Sequence, residues 1–383
     1  MRAAARLLAA ACALGLAGCG SFGSFGFFGF FGDDAKKPMP LSEIRASATP
    51  VVAWSVSVGK SGDFRFSPRL DGDRVFAAAA DGTLTILDAK DGRVVTRLDA
   101  KRKLSSGAAG EGDLVIAGTL KGEVIAMDTA GKERWVARVG GEVLAPAVIA
   151  GKRAIVRTAD GRIFALSLAD GKREWVYQRP TPALLLRAET SVIATPSNVV
   201  AGYPGGKLLA LDLDDGKLTW EVTVSLPRGA TELERVADVS GLPVIDGGRI
   251  CAAAFQGKVA CFDIASGNTL WTRDISSASG LALDDKSLYI ADDADVVHAL
   301  DREGGASRWK QDKLLRRRLT APLAVEGKVV VGDSLGFLHV LAKDDGAFIG
   351  RLSLGGDAIR SLVPAPGGLL VQTAGGTLSF VRL

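Results

Sequence analysis

Residues 205–224 read GGKLLALDLDDGKLTWEVTV. Gly206 and the pair Asp215-Gly216 mark two turns, with Leu208 and Leu211 among β-formers between them. A second run follows and carries Trp220. Short apolar runs separated by Asp-Gly or Gly-Gly turns read as antiparallel strands joined by hairpins. The same phrase recurs as DGTLTILDAKDGRVVTRL (81–98), KGEVIAMDTAGKERWVARV (121–139), DGRIFALSLADGKREWVYQ (160–178), QGKVACFDIASGNTLWTRDI (256–275) and LGFLHVLAKDDGAFIGRLSL (335–354). A weaker copy, DADVVHALDREGGASRWKQD, fills 293–312, and a truncated GGTLSFVRL ends the chain at 375–383. The first-turn glycines are Gly82, Gly122, Gly161, Gly206, Gly257, Gly336 and Gly376, with Ala294 in the sixth place. Their spacing is about 40 residues and stretches in the middle of the chain, a period that marks a repeat architecture.

Ahead of each copy lie two further apolar runs, such as 144–149 and 329–332. Four strands per unit make the blade of a β-propeller. No stretch has the period of an amphipathic helix, which excludes a helix-pair solenoid. Five tryptophans, Trp135, Trp175, Trp220, Trp271 and Trp309, fall four residues after the second turn glycine of a repeat. A residue type fixed at one repeat position reads as a wedge between blades. Trp54 has no repeat before it, whereas the last repeat stops before its own Trp strand. Ring closure resolves both: the strand at 51–58 completes the C-terminal blade and removes an open sheet edge. The expectation is an all-β, eight-bladed propeller of four-stranded antiparallel blades over 50–383.

Composition narrows the function. A chain that is 47% hydrophobic is not disordered, and a net charge of +4 lacks the basic excess of a nucleic-acid protein. Two His and four Cys leave little for a His/Cys metal site, and His298 and His339 are the sole candidates for a histidine-based triad. The Asp and Lys of the turns (Asp81, Asp91, Asp215, Lys217) read as turn formers and solvated charges.

The N-terminus is an address. Arg2 and Arg6 precede an apolar run from Leu7 to Leu16, as in a secretory signal peptide over 1–18. Leu16-Ala17-Gly18-Cys19 resembles a bacterial lipobox, which implies cleavage before Cys19 and lipidation of that residue, palmitate included. Gly20 stands where an Asp typically retains such lipoproteins in the inner membrane, so an outer-membrane destination is implied. Residues 19–49 read as the lipidated Cys and a flexible Gly/Phe-rich tether. Its phenylalanines either dip into the membrane interface or do nothing specific.

The copies ALDLDDGKLTW (210–220) and ALSLADGKREW (165–175) resemble the tryptophan-docking repeat of quinoprotein propellers. Over nearly the whole mature chain the match is to the BamB family, β-propeller lipoproteins of the outer-membrane β-barrel assembly (Bam) complex. Two inserted stretches carry it. ALLLRAE (183–189) resembles the family's L-x-L-R-G-E segment, with Ala188 in place of Gly, and TELERVADV (231–239) resembles its T-E-[IL]-x-R-x-x-D-V loop. The resemblance implies a non-catalytic scaffold that docks on the periplasmic POTRA domains of BamA and assists folding and insertion of barrel proteins. It implies Leu184, Leu186 and Arg187 as central contacts, with Glu234, Arg235 and Asp238 as neighbours or supports. Nascent outer-membrane proteins, added to exposed strands, are a further expected partner. No cofactor is expected. The departure at Ala188 bears on the loop's geometry, because glycine serves where φ is positive.

The residues agree by themselves. Aliphatic side chains beside an arginine in a long inter-blade connection suit an interface. Alternation sets Leu184 and Leu186 on one side and Leu185 on the other; Leu185 and a neighbour could instead pack as the inner strand of blade four. Cys251 and Cys261 are the cysteines left after Cys12 and Cys19. A three-residue loop 255–257, with Gly257 left-handed, places them opposite each other for a cross-strand disulfide; a two-residue loop places them on opposite faces. Otherwise they are two small buried hydrophobes. Two rival functions remain. A quinoprotein dehydrogenase would usually carry an adjacent Cys-Cys pair, which is absent from the sequence. The other rival is a generic periplasmic interaction propeller with a different partner.

Overall fold

The structure, a computed structural model, describes residues 37–187, 189 and 191–383. The signal peptide, Cys19, the tether as far as residue 36, and Ala188 lie outside the described residues. Every regular element among those described is a strand, and the strands form eight four-stranded antiparallel sheets. Blade one is Arg69–Asp71, Arg74–Ala78, Thr83–Asp88 and Val94–Asp99, hydrogen-bonded in that order. Blades two to seven repeat it over 109–138, 148–177, 193–223, 244–273, 281–311 and 323–353. Blade eight joins Ile359–Ala365, Gly368–Thr373 and Thr377–Arg382 to the N-terminal strand Val51–Ser57, its outermost member, with Trp54 opposite Phe380. The first strands of most neighbouring blades pack together, and Ile359–Ala365 closes on Arg69–Asp71. This is an eight-bladed β-propeller.

The core lies between the blades, as a ring of separate clusters. Phe76, Ile86 and Leu98 of blade one, for example, meet Val115, Ile125 and Met127 of blade two. The tryptophans key most of these joints. The indole N–H of Trp54, Trp135, Trp175, Trp271 and Trp309 donates to the carbonyl of Ala89, Leu168, Leu213, Arg302 and Lys343 of the next blade. Each ring also covers the next blade's turn glycine. At Gly216 (φ +72°) a Cβ would stand 2.6 Å from the Trp175 ring, so both the conformation and the space require glycine. Each docked tryptophan buries its apolar body and satisfies its one polar group. Trp220 is the exception. It is half-buried, and among the described residues its indole makes no hydrogen bond. The turn glycine it would cover, Gly267, instead faces Val222: a Cβ added there would stand 3.7 Å from it.

Inter-blade connections and the turns between second and third strands share one face. The longest connections there are 178–192, from blade three to four, and 224–243, from blade four to five. From Met39 to Ala48 the segment expected to be tether lies along blade seven. The Met39 N–H donates to Leu315 O, and those of Ser47 and Ala48 donate to Ile349 O. In blade five the register pairs Cys251 with Cys261, joined as a disulfide with a Cα–Cα distance of 4.1 Å. The loop is 255–257, but its left-handed residue is Gln256 (φ 49°), not Gly257. Gly257 is needed for space, since a Cβ there would meet the Cβ atoms of Ala254 and Ser225 within 2.8 Å.

Candidate functional site

The two long connections are held together by one carboxylate. Asp238 is buried, and its Oδ2 accepts from Leu186 N–H at 2.6 Å while Oδ1 accepts from Gly205 N–H at 3.1 Å. One side chain of the second stretch thus fixes the backbone of the first. Charge-assisted bonds of this kind are among the stronger ones, and losing the acceptor would leave two partly buried donors unpaired. Gly202 packs against Val239, whose N–H donates to Tyr203 O, so the same stretch is also sealed to blade four.

The stretch 183–187 is irregular, and the inner strand of blade four is Ile193–Ala194. The alternative packing of Leu185 as that strand is therefore not realised. Leu184 is 45% exposed, whereas Leu185 and Leu186 are half-buried over a small crevice lined by Arg157, Pro204 and Asp238. Leu184 and Leu186 do not present equally: Leu184 is the outward anchor, and Leu186 is tied down through its own amide. Arg187 is exposed and donates through Nε and Nη2 to Glu142 Oε2, at 3.0 and 2.7 Å. Glu189 pairs with Arg65 at 3.0 Å. Exposed pairs of this kind hold an orientation at a worth of about 0–1 kcal/mol, so Arg187 can exchange its partner readily.

The second stretch opens with a capping box. Glu234 N–H donates to Thr231 Oγ1 at 3.2 Å, and Glu234 Oε2 accepts from Ala230 and Thr231 N–H at 2.8 and 3.0 Å. The Thr231 and Ala230 backbone bonds hold the Glu234 carboxyl below its ordinary value. Arg235 is exposed, its Nε on Gly229 O at 3.0 Å, and Leu233 beside it is 68% exposed. Of the expected residues, Leu184, Arg187 and Arg235 thus face solvent, while Leu186, Glu234 and Asp238 shape the surface.

Sequence reasoning missed the support beneath. Arg157 is buried, donates to Gly202 O at 2.6 Å and lies 5.3 Å over the Tyr203 ring. Burial lowers its pKa, against the pull of Tyr203 and Asp238. Tyr203 donates to Gly161 O at 2.6 Å, and burial pushes its phenol up. The signal was present: blades one, two, five, six and seven end this strand in Ala or Gly, as at Ala78, Gly118, Ala253 and Gly332. Both histidines sit at one repeat position, six residues after a turn aspartate. His298 Nε2 meets Asp292 and His339 Nε2 meets Asp333, each at 2.9 Å. The other ring nitrogen of His339 faces Arg351, not a hydroxyl or thiol. Among the described residues no cluster of His, Cys, Asp or Glu could hold a metal ion.

A family model described as outer membrane protein assembly factor BamB matches residues 81–311. A BamB from Bordetella pertussis is 41% identical over 96% of this chain and 94% of its own. The crystal structure of BamB from Moraxella catarrhalis superposes with a TM-score of 0.80 at 26% identity, covering 87% of this chain and 100% of that one. A quinohaemoprotein alcohol dehydrogenase from Pseudomonas putida HK5 reaches a TM-score of 0.68 at 13% identity, over 87% of this chain and 76% of that one, a likeness of fold alone.

Proposed function

Since the chain belongs to the BamB family of outer membrane protein assembly factors, we propose that it is a non-catalytic scaffold of the Bam complex, gripping a POTRA domain of BamA through the 183–189 and 228–239 connections. The carrying observation is the Asp238 clamp. A buried carboxylate spent on fixing a loop backbone makes that loop a preformed surface, and preformed surfaces bind without an ordering cost. Leu184 supplies an aliphatic anchor, and Arg187 offers a planar fork to a partner carboxylate in place of Glu142. Lipid on Cys19 would hold the propeller at the periplasmic leaflet of the outer membrane.

The test is capture of the BamA POTRA segment by wild type and by Leu184→Ala/Arg187→Ala. We expect binding to fall at least about tenfold, with an unchanged β-rich circular dichroism spectrum. Unchanged binding would move the interface elsewhere on the ring. No capture by the wild type would favour an interaction propeller with a different partner.

A further inference from the structure

On the far side of the ring, a buried chain of charged groups ends on the N-terminal segment. Arg317, in the connection from blade six to seven, donates through Nε to Asp333 Oδ2 at 2.6 Å and through Nη1 to Met39 O at 2.8 Å. The same Asp333 oxygen faces His339 Nε2 at 2.9 Å. Arg351, on the outer strand of blade seven, places Nε 3.3 Å from His339 Nδ1 and donates through Nη1 to Ser42 O at 2.9 Å. Arg317, Asp333 and His339 are buried, with His339 and Asp333 both 0% exposed. Two guanidinium groups therefore hold two carbonyls of one segment, and Asp333 and the imidazole link them, Asp333 bonding Arg317 and His339 facing Arg351.

The bonding admits one tautomer. Nε2 carries the proton toward Asp333, and Nδ1 must be bare to accept from Arg351. A proton on Nδ1 would turn that acceptor into a second donor facing Arg351 and add a third cation to the pair of guanidiniums, with Asp333 alone to balance them. We propose that the segment from Met39 to Ala48 is a latch on blade seven, shut while His339 is neutral and opened when it is protonated. Burial and the charges of Arg351 and Arg317 work against the protonated form, and Asp333 works for it; the balance lies below histidine's ordinary value. The latch is thus shut at neutral pH and loses its hold as pH falls. Opening would lengthen the link to the membrane by up to about 35 Å, taking ten residues at full extension. That consequence rests on the lipid-anchor reading; the latch does not.

The experiment is hydrogen exchange on the protein purified from its host, at neutral pH and at about pH 5, corrected for the intrinsic pH dependence of exchange. The peptide spanning 39–49 should lose protection at least tenfold in acid, while one spanning Val51–Ser57 should not. His339→Gln, which cannot titrate, should keep the segment protected at both pH values. Arg351→Gln should leave it open at both. Acid opening that is identical in wild type and His339→Gln, or no opening in the wild type, would overturn the latch. Palmitate labelling of Cys19, measured separately, decides the anchor and leaves this result standing.

Discussion

The joints on either side of blade four are built differently. Between blades three and four, Trp175 docks on Gly216 and bonds Leu213 O, as the repeat dictates. Between blades four and five, Trp220 occupies the same repeat position, yet Val222 stands over Gly267 and the indole stays half-buried. The joint between blades one and two is similar: Thr96 replaces the tryptophan, and a Cβ added at Gly131 would stand 3.6 Å from Leu98, two residues on. At four–five the connection 224–243 adds contacts to both blades: Val239 packs on Gly202 of blade four, and Asp238 O accepts from Phe255 N–H of blade five. The repeat makes the ring, and at the four–five joint, where the wedge lapses, an insertion also shapes the surface.

The largest test of this contrast is to remove each ring. Trp175→Ala deletes a docked side chain and should cost about 3–5 kcal/mol in urea denaturation. Trp220→Ala, at a joint with other support, should cost less than half as much. Equal losses would mean that Trp220 is docked in solution.

The glycines give a finer version. Gly216→Ala adds a methyl group 2.6 Å from the Trp175 ring at a positive φ, for about 3 kcal/mol of overpacking and backbone strain. Gly267→Ala meets only Val222 at 3.7 Å, and should cost about 1 kcal/mol from its φ alone. Reducing the Cys251–Cys261 disulfide, on the face of blade five that packs against blade six, should cost no more than about 3 kcal/mol, because the loop it closes is short. A dithiothreitol shift in the denaturation midpoint that Cys251→Ala/Cys261→Ala does not reproduce would deny the disulfide that role.

These sites also divide what a sequence discloses from what it hides. Turn glycines and tryptophans are periodic, so the ring, its closure by the strand at Trp54 and the blade count were all legible. The inserted stretches were legible as breaks in the period. What Asp238 does was not, since its partners, Leu186 and Gly205, are backbone amides 52 and 33 residues away. Local alternation could not tell exposed Leu184 from tethered Leu186, because the chain there is irregular and a third residue decides. The hold on Met39 and Ser42 was hidden for the same reason: Arg317 and Arg351 reach across 278 and 309 residues to carbonyls that carry no sequence signal.

The smallest expected effect separates the two joints by pH. Glu234 closes the capping box of the insertion as a carboxylate, with its pKa depressed by the amides of Thr231 and Ala230. For a depressed acid, the stabilisation is complete above the unfolded-state value and is lost as pH falls through the folded one. The turn at 228–239 should therefore fray in acid, below about pH 4. Hydrogen exchange should show that turn opening while Arg173–Tyr177, the strand that carries Trp175, keeps its protection, because neither an indole nor the Leu213 carbonyl titrates in this range. Glu234→Gln should be looser than wild type at neutral pH and indifferent to acid. If the wild-type turn proves equally indifferent, the capping box does not hold this insertion, and the Asp238 clamp must carry the joint without it.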